Sequence, residues 1–283
     1  MSMPRLTDAD IDRFIGEDLP YGDITSRSLG LSDQPADILF RSRTAMVACS
    51  TEEAARIMTR LGCTATLAVA SGVAVAAGDT LLSARGPAEG VLAGWKVAQT
   101  LMEYASGIAT LASEIVHAAR AVGPEAVVAC TRKTCPGTKA VAVKAIVAGG
   151  AILHRLGLSD TVLLFPEHRA LLGATSLAET IGRLKTSCPE KKVVVEVLSP
   201  SDATAAAEAG ADVIQLEKFT PDQVATVAGS LAGFGVLVAA AGGINAANAA
   251  AYAAAGARIL VTSAPYSAPP AEIKVVIGPG ESG

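Results

Sequence analysis

The chain has 283 residues, 51% of them hydrophobic and 18% charged, with a net charge of −4 and only 4% aromatics. That length holds two ordinary domains or one barrel with an appendage, and the hydrophobic fraction excludes a disordered scaffold. Nucleic-acid binding needs a basic face and stacking platforms; neither is evident, so any bound anion must be held by a local basic cluster.

The opening MSMPRLTDADIDRF lacks the apolar core of a signal peptide, and the expected compartment is the cytoplasm. A helix capped near Thr7 leads into the polar, turn-rich EDLPYGDITSRSLG. Four short β-like runs follow, ADILFRS, TAMVACS, TATLAVA and DTLLSAR, interrupted by a helix around Thr51–Leu61 and by turns at Gly72, Gly78 and Gly86. This pattern suits a small open sheet with a helix packed on it. From Ala88 to about Ala121 large apolar residues recur every three or four positions, as in helices. SGIAT at Ser106–Thr110 is expected to break that stretch into two helices. Mean hydropathy is +0.42, carried mostly by Ala, Val and Gly. Even so, no run of ~18–20 apolar residues is free of charge, and no transmembrane helix is expected.

After Gly123 strands and helices alternate. The strand candidates are 126–131, 161–165, 192–197, 212–217, 235–240 and 257–262, continuous Val/Ile/Leu runs of the kind found in buried parallel strands. Helices such as SDATAAAEAG and NAANAAAYAAAG intervene and end on glycine. Repeated βα units predict a barrel or a doubly wound sheet, and the absence of G-x-G-x-x-G after the first strand argues against a dinucleotide site. Cys49, Cys63, Cys130, Cys135 and Cys188 form an odd set without a C-x-x-C pair, which reads as reduced thiols rather than structural zinc.

Polar residues gather where these strands end, the face on which barrel enzymes carry their sites. Thr131, Arg132 and Lys133 follow the first strand; Glu196 and Glu217 close two others; Gly242, Gly243 and the Thr262–Ser263–Ala264 turn follow the last two. Each alone has a plain structural alternative: a solvated basic turn for Arg132–Lys133, a tight turn for the glycine pair, a satisfied structural histidine for His154. Arg132, Lys133, His154 and Arg155 together with two carboxylates instead suit a multiply charged anion plus a metal. Glu196 and Glu217 could hold Mg²⁺ directly or through water, or meet ribose hydroxyls. No nucleophile triad is present; His117 reads as structural, His168 as open, and Cys135 as a bystander.

EDLPYGDIT (Glu17–Thr25), SGIAT, TRKTCPG (Thr131–Gly137), AGGAILHRLGLSD (Ala148–Asp160), VEV (Val195–Val197), AGADVIQLE (Ala209–Glu217) and AAGGI (Ala240–Ile244) occur in this order over nearly the whole chain. In this the chain resembles the quinolinate phosphoribosyltransferase, or nicotinate-nucleotide pyrophosphorylase, family. WKVAQ, HRLGLSD, VLLFPEHR and QLEKF are closer to its ModD subgroup, associated with molybdenum-transport operons. The resemblance implies a type II phosphoribosyltransferase fold, α/β in class. An N-terminal α/β sandwich (1–109, with a C-terminal return at 268–283) would join an incomplete seven-stranded (β/α) barrel (110–267). It also implies a pentosyltransferase that uses phosphoribosyl pyrophosphate with Mg²⁺, acting as a homodimer with a shared site or a higher homo-oligomer, with no membrane or nucleic-acid partner. By motif position Lys133, Glu196 and Glu217 would serve phosphoribosyl pyrophosphate and metal. Lys96, Thr131, Arg132, His154, Arg155 and Phe165 would face the acceptor. Ala241, Gly242, Gly243, Thr262, Ser263 and Ala264 would hold the 5-phosphate.

The sequence departs from the family pattern at several of these positions. Lys96 stands where the family has an arginine reaching the neighbouring subunit's substrate. Phe165 and Glu167 replace the lysine and asparagine of a segment that usually reads like LIKDNH. Glu217 replaces aspartate, and Ala241 and Ser263 stand where serine and glycine are common. The expected activity is therefore phosphoribosyl transfer to an altered, less acidic nitrogen heterocycle near Phe165, unless Phe165 is only a buried barrel residue. The alternatives are an ordinary carboxylating quinolinate enzyme of NAD synthesis and a non-catalytic anion-binding regulator linked to molybdate uptake. A Schiff-base aldolase ranks last, since no lysine lies alone within an apolar strand body.

Overall fold

A computed structural model describes residues 3–280; residues 1–2 and the last three of the expected C-terminal return, 281–283, lie outside the described residues. In chain order the elements are α1 (Asp8–Asp18), α2 (Ile24–Ser28), β1 (Pro35–Ser42), β2 (Met46–Val47), α3 (Thr51–Arg60), β3 (Thr64–Leu67), β4 (Ala74–Val75), β5 (Thr80–Pro87), α4 (Ala88–Arg120) and β6 (Val127–Cys130). They continue as α5 (Lys139–Ala148), β7 (Ile152–Leu153), β8 (Val162–Leu164), α6 (Pro166–Leu171), α7 (Leu177–Ser187), β9 (Val193–Val197), α8 (Pro200–Glu208), β10 (Val213–Glu217), α9 (Pro221–Leu231), β11 (Leu237–Ala241), α10 (Ala249–Ala254), β12 (Ile259–Thr262) and β13 (Ile273–Pro279). No helix among the described residues is long and apolar enough to cross a membrane.

The chain divides into two compact units. One takes the residues up to Ser113, Cys135–Gly150 and Pro265 onward; the other takes Glu114–Thr134 and Ala151–Ala264. The first holds an antiparallel sheet in the order β13-β1-β5-β3. Strand β1 alternates inward and outward residues and places Ile38 and Phe40 in a core shared with Ile57 and Met58 of α3 and Leu82 of β5. The C-terminal return thus supplies an edge strand, with Ile38 opposite Ile277. Thr7 caps α1 reciprocally: its hydroxyl accepts from Asp10 N at 3.2 Å while the Asp10 carboxylate accepts from Thr7 N at 2.9 Å.

Helix α4 runs unbroken through SGIAT, contrary to the expected interruption. Its small residues serve close packing instead. A Cβ on Gly107 would lie 2.2 Å from the Pro269 carbonyl oxygen. The Ser106 hydroxyl accepts from Cys49 N at 2.9 Å, and that of Thr110 accepts from Val47 N at 2.9 Å. Segment Cys135–Gly150, expected within the barrel stretch, clusters with the first unit because Val141, Ala145 and Ala148 of α5 pack with Leu6, Val47, Cys49, Ala105 and Ala109. Lys144 of α5 is buried with them and pairs with Glu53 and, at 2.9 Å, with Glu52 of α3.

The second unit is a seven-stranded sheet in the order β7-β6-β12-β11-β10-β9-β8, with every pair parallel. Strands β7 and β8 are its two edges, so the sheet curls without closing, an incomplete (β/α) barrel. All six strands expected from the sequence are present within two residues of their predicted bounds; the two-residue β7 was missed. Strand register stacks one face in layers. Val194, Val213 and Leu237 form the lowest; Glu196, Gln215, Ala239 and Ile259 form the next; Glu217, Ala241 and Val261 form the uppermost. The apolar members of this face make one cluster, and its polar members lie in the two upper layers, above Val194, Val213 and Leu237.

Candidate active site

Those upper layers open into a cavity of about 690 Å³ lined wholly by the second unit. Ala241 in its lining leaves space that a larger side chain would fill. Of the fifteen residues singled out as site candidates, fourteen line it. Thr131, Arg132 and Lys133 come from the loop after β6, His154 and Arg155 from that after β7, and Phe165 from the end of β8. Glu196 and Glu217 come from β9 and β10, Ala241, Gly242 and Gly243 from the end of β11, and Thr262, Ser263 and Ala264 from β12 and its turn. Lys96 is the exception. It lines a separate cavity of the first unit, its ammonium donating to Gln99 Oε1 at 3.0 Å and lying 4.9 Å from the centre of the Trp95 ring.

One side of the site is basic. Arg155 is buried; one of its terminal nitrogens donates to the carbonyls of Leu158 (3.3 Å) and Thr161 (3.0 Å), while its Nε has no partner among the described residues. Burial, and then the neighbouring Arg132 charge, hold the Arg155 pKa below its ordinary value. Burial, and then Arg155, likewise depress that of His154, so the imidazole is neutral near pH 7. This side of the cavity is short of negative charge.

The other side is acidic. Burial first, then the Glu217 carboxylate, push Glu196 above the usual carboxylate range, against a 2.7 Å hydrogen bond donated by Gln215 Nε2. The ionised form is thus a strain on the fold. Glu196→Gln is accordingly expected to raise Tm near pH 7, because it removes the repulsion from Glu217 while keeping an acceptor for Gln215 Nε2. The gain should shrink in acid, where Glu196 protonates; calorimetric melting at pH 7.5 and 5 measures it.

Gly242 and Gly243 both have positive φ, 92° and 83°. A Cβ on Gly242 would come within 2.7 Å of Lys218 Cγ and 3.1 Å of Glu217 Oε1, so glycine lets the loop pass beside the carboxylate. Asn245 and Asn248 tie the loop down by donating to the Gly243 carbonyl at 3.1 and 3.0 Å. The Thr262 hydroxyl donates to Ile244 O at 2.6 Å and accepts from Ala264 N at 3.0 Å. Thr262 and Ala264 therefore shape the turn with the groups expected to meet phosphate. Phe165 is neither a deep core residue nor loose: its N–H donates to His168 Nδ1 at 3.0 Å and its ring stacks on that imidazole, 5.7 Å between centres. His168 thus acts as a brace for helix α6.

Sequence reasoning missed Gln215, Glu167, Leu198 and Asn245 as cavity residues. Gln215 had a readable signal, a lone amide inside the apolar run VIQLE. No set of three His, Cys, Asp or Glu side chains among the described residues could hold a metal alone. Two carboxylates whose mutual repulsion a cation would relieve do fit Mg²⁺, which commonly binds through one or two carboxylates plus substrate phosphates.

Sequence profiles of two family domains match the chain: "Quinolinate phosphoribosyl transferase, N-terminal domain" over residues 23–106 and "C-terminal domain" over 108–276. A Rhodobacter capsulatus protein provisionally named pyrophosphorylase ModD is 55% identical over 249 residues, 87% of this chain and 95% of its own. The Rattus norvegicus nicotinate-nucleotide pyrophosphorylase [carboxylating] is 35% identical over 194 residues, 68% of this chain and 64% of its own. In fold, the chain superposes on the nicotinate-nucleotide pyrophosphorylase of Francisella tularensis with a TM-score of 0.89 at 21% identity, covering 98% of this chain and all of the other.

Proposed function

Since the chain belongs to the quinolinate phosphoribosyltransferase family of pentosyltransferases, we propose that it transfers phosphoribose from phosphoribosyl pyrophosphate to a ring nitrogen of a heterocycle other than quinolinate. The observation that carries this reading is the single cavity in which a basic side (Arg132, Lys133, His154, Arg155) faces two carboxylates, with Phe165 at its edge. The nitrogen lone pair forms the new bond to C1 of the sugar as the C1–O bond breaks and its electron pair leaves with pyrophosphate. The barrier then falls through positioning and electrostatics. Lys133 and Arg132 stabilise negative charge on the leaving group, and Glu196 and Glu217 face the cationic ribosyl centre. Mg²⁺ held through Glu196 and Glu217 would neutralise pyrophosphate charge. The glycine turn after β11 and Ser263 are the places for the 5-phosphate.

The same proposal takes the protein to act in the cytoplasm as a homodimer in which Lys96 of a second copy reaches the acceptor, in keeping with the absence of Lys96 from the lining of its own chain's cavity. The link to molybdenum transport rests on the resemblance to ModD sequences alone.

Calorimetric titration with phosphoribosyl pyrophosphate and Mg²⁺ tests the reading; absence of binding with and without metal would defeat it. Lys133→Ala is expected to weaken that binding by more than 1 kcal/mol, a charged hydrogen bond being worth ~1.5–3. Pyrophosphate release across a panel of heterocycles identifies the acceptor class.

A further inference from the structure

Gln215 is 4% exposed, in the middle of a β10 run whose neighbours are apolar, yet it lines the cavity. Its Nε2 donates to Glu196 Oε2 at 2.7 Å, and its Oε1 is buried with no partner among the described residues. The amide cannot be turned round while Glu196 is ionised, because two oxygens would then face each other without a proton between them. Register places Gln215 beside Glu196 and Ala239, one layer below Glu217 and Ala241. The anion-holding turns after β11 and β12 lie above those layers, so Gln215 meets the part of a ligand that enters deepest. A buried carbonyl without a donor is costly, and a ligand N–H would relieve that cost.

We infer that Gln215 determines acceptor specificity, its Oε1 receiving an N–H of a neutral nitrogen heterocycle that bears an amino or carboxamide group. This inference rests on the phosphoribosyl-transfer reading above and narrows its acceptor. A carboxylate at the same depth would meet Oε1 and the Glu196 carboxylate, acceptors both. A hydrogen-bonding site of this kind rejects the analogue lacking the donor, since the protein's buried polar group is then left unpaired. Small Ala241, one layer above Gln215 and part of the cavity lining, leaves room for such a substituent.

The pyridine 3-carboxamide and 3-carboxylate, nicotinamide and nicotinate, are nearly isosteric and differ in this donor. With saturating phosphoribosyl pyrophosphate and Mg²⁺, the wild-type protein should show kcat/KM for nicotinamide at least tenfold above those for nicotinate and quinolinate. Gln215→Leu should cut that preference at least tenfold, mainly through KM, while changing the Kd for phosphoribosyl pyrophosphate less than threefold. Gln215→Met, with a similar unbranched shape, should do the same and guards against a folding defect. Absent nicotinamide turnover, a wild-type preference for either acid, or an equal loss on all three acceptors in both variants would overturn the inference. A larger effect on phosphoribosyl pyrophosphate affinity than on acceptor choice would also overturn it, by placing Oε1 against the sugar. Failure of wild-type protein to bind phosphoribosyl pyrophosphate at all would instead strike the underlying reading, so the two failures are distinguishable.

Discussion

Phe165→Lys combined with Lys96→Arg is expected to raise kcat/KM for quinolinate at least tenfold. The wild-type rate should lie well below the ~1–10³ s⁻¹ turnover typical of enzymes. Quinolinate carries two carboxylates, each losing water on entering the cavity, and an aromatic ring cannot compensate that loss. Phe165 is held at the cavity edge by its stack on His168 and its N–H bond to that imidazole, so a lysine placed there starts from a braced backbone. Each restored charged hydrogen bond is worth ~1.5–3 kcal/mol, and ~1.4 kcal/mol is tenfold in rate. The gain should exceed that for any neutral pyridine assayed alongside. Quinolinate turnover at ordinary enzyme rates by the unaltered chain would make it a conventional quinolinate enzyme with a rearranged carboxylate clamp.

Lys144→Ala should cost about 3–5 kcal/mol of stability, the range for removing one partner of a buried ion pair. Lys144 and Glu53 are 3% and 1% exposed, and Ser71 donates from both its N–H (2.8 Å) and its hydroxyl to Glu52. Loss of the ammonium leaves two carboxylates together, one of them without water. Burial alone would lower the Lys144 pKa, but the bonds to Glu53 and Glu52 outweigh it and raise it. Burial opposes ionisation of Glu52 too, yet the bonds from Ser71 and Lys144 hold its pKa at about 2. A carboxylate depressed in this way adds stability that is fully present above its unfolded pKa, ~4.3. That contribution disappears as pH falls from there through about 2. Denaturant unfolding of wild type and variant should therefore differ most near neutral pH and converge in acid. Lys144→Met, which keeps the stem's volume, should be destabilised almost as much, because charge rather than packing is lost.

Glu52, Glu53 and Lys144 show where one-dimensional reading ends. TEEAARIM read correctly as a helix, but Glu53 joins its buried face only because Lys144, 91 residues away, comes to meet it. SGIAT misled for a related reason. Ser, Gly and Thr favour helix ends when a helix stands alone, whereas here they accept N–H groups from Val47 and Cys49 and admit the Pro269 backbone.

The barrel strands were legible because burial on both faces imposes uninterrupted Val, Ile, Leu and Ala runs, a constraint that each strand satisfies within its own few residues. Their functional ends were legible as well: Arg132–Lys133, His154–Arg155, Glu196, Glu217 and Gly242–Gly243 interrupt those runs where loops begin, and all of them line one cavity. What the tertiary structure alone decided is which of these groups are already spent. Thr262 and Ala264 satisfy each other, His168 braces Phe165, and Lys96 lies in another unit. Gln215 owes its unpaired oxygen to the parallel register that sets Glu196 beside it. Pairing across strands joins residues far apart in the chain, so no local pattern could record it.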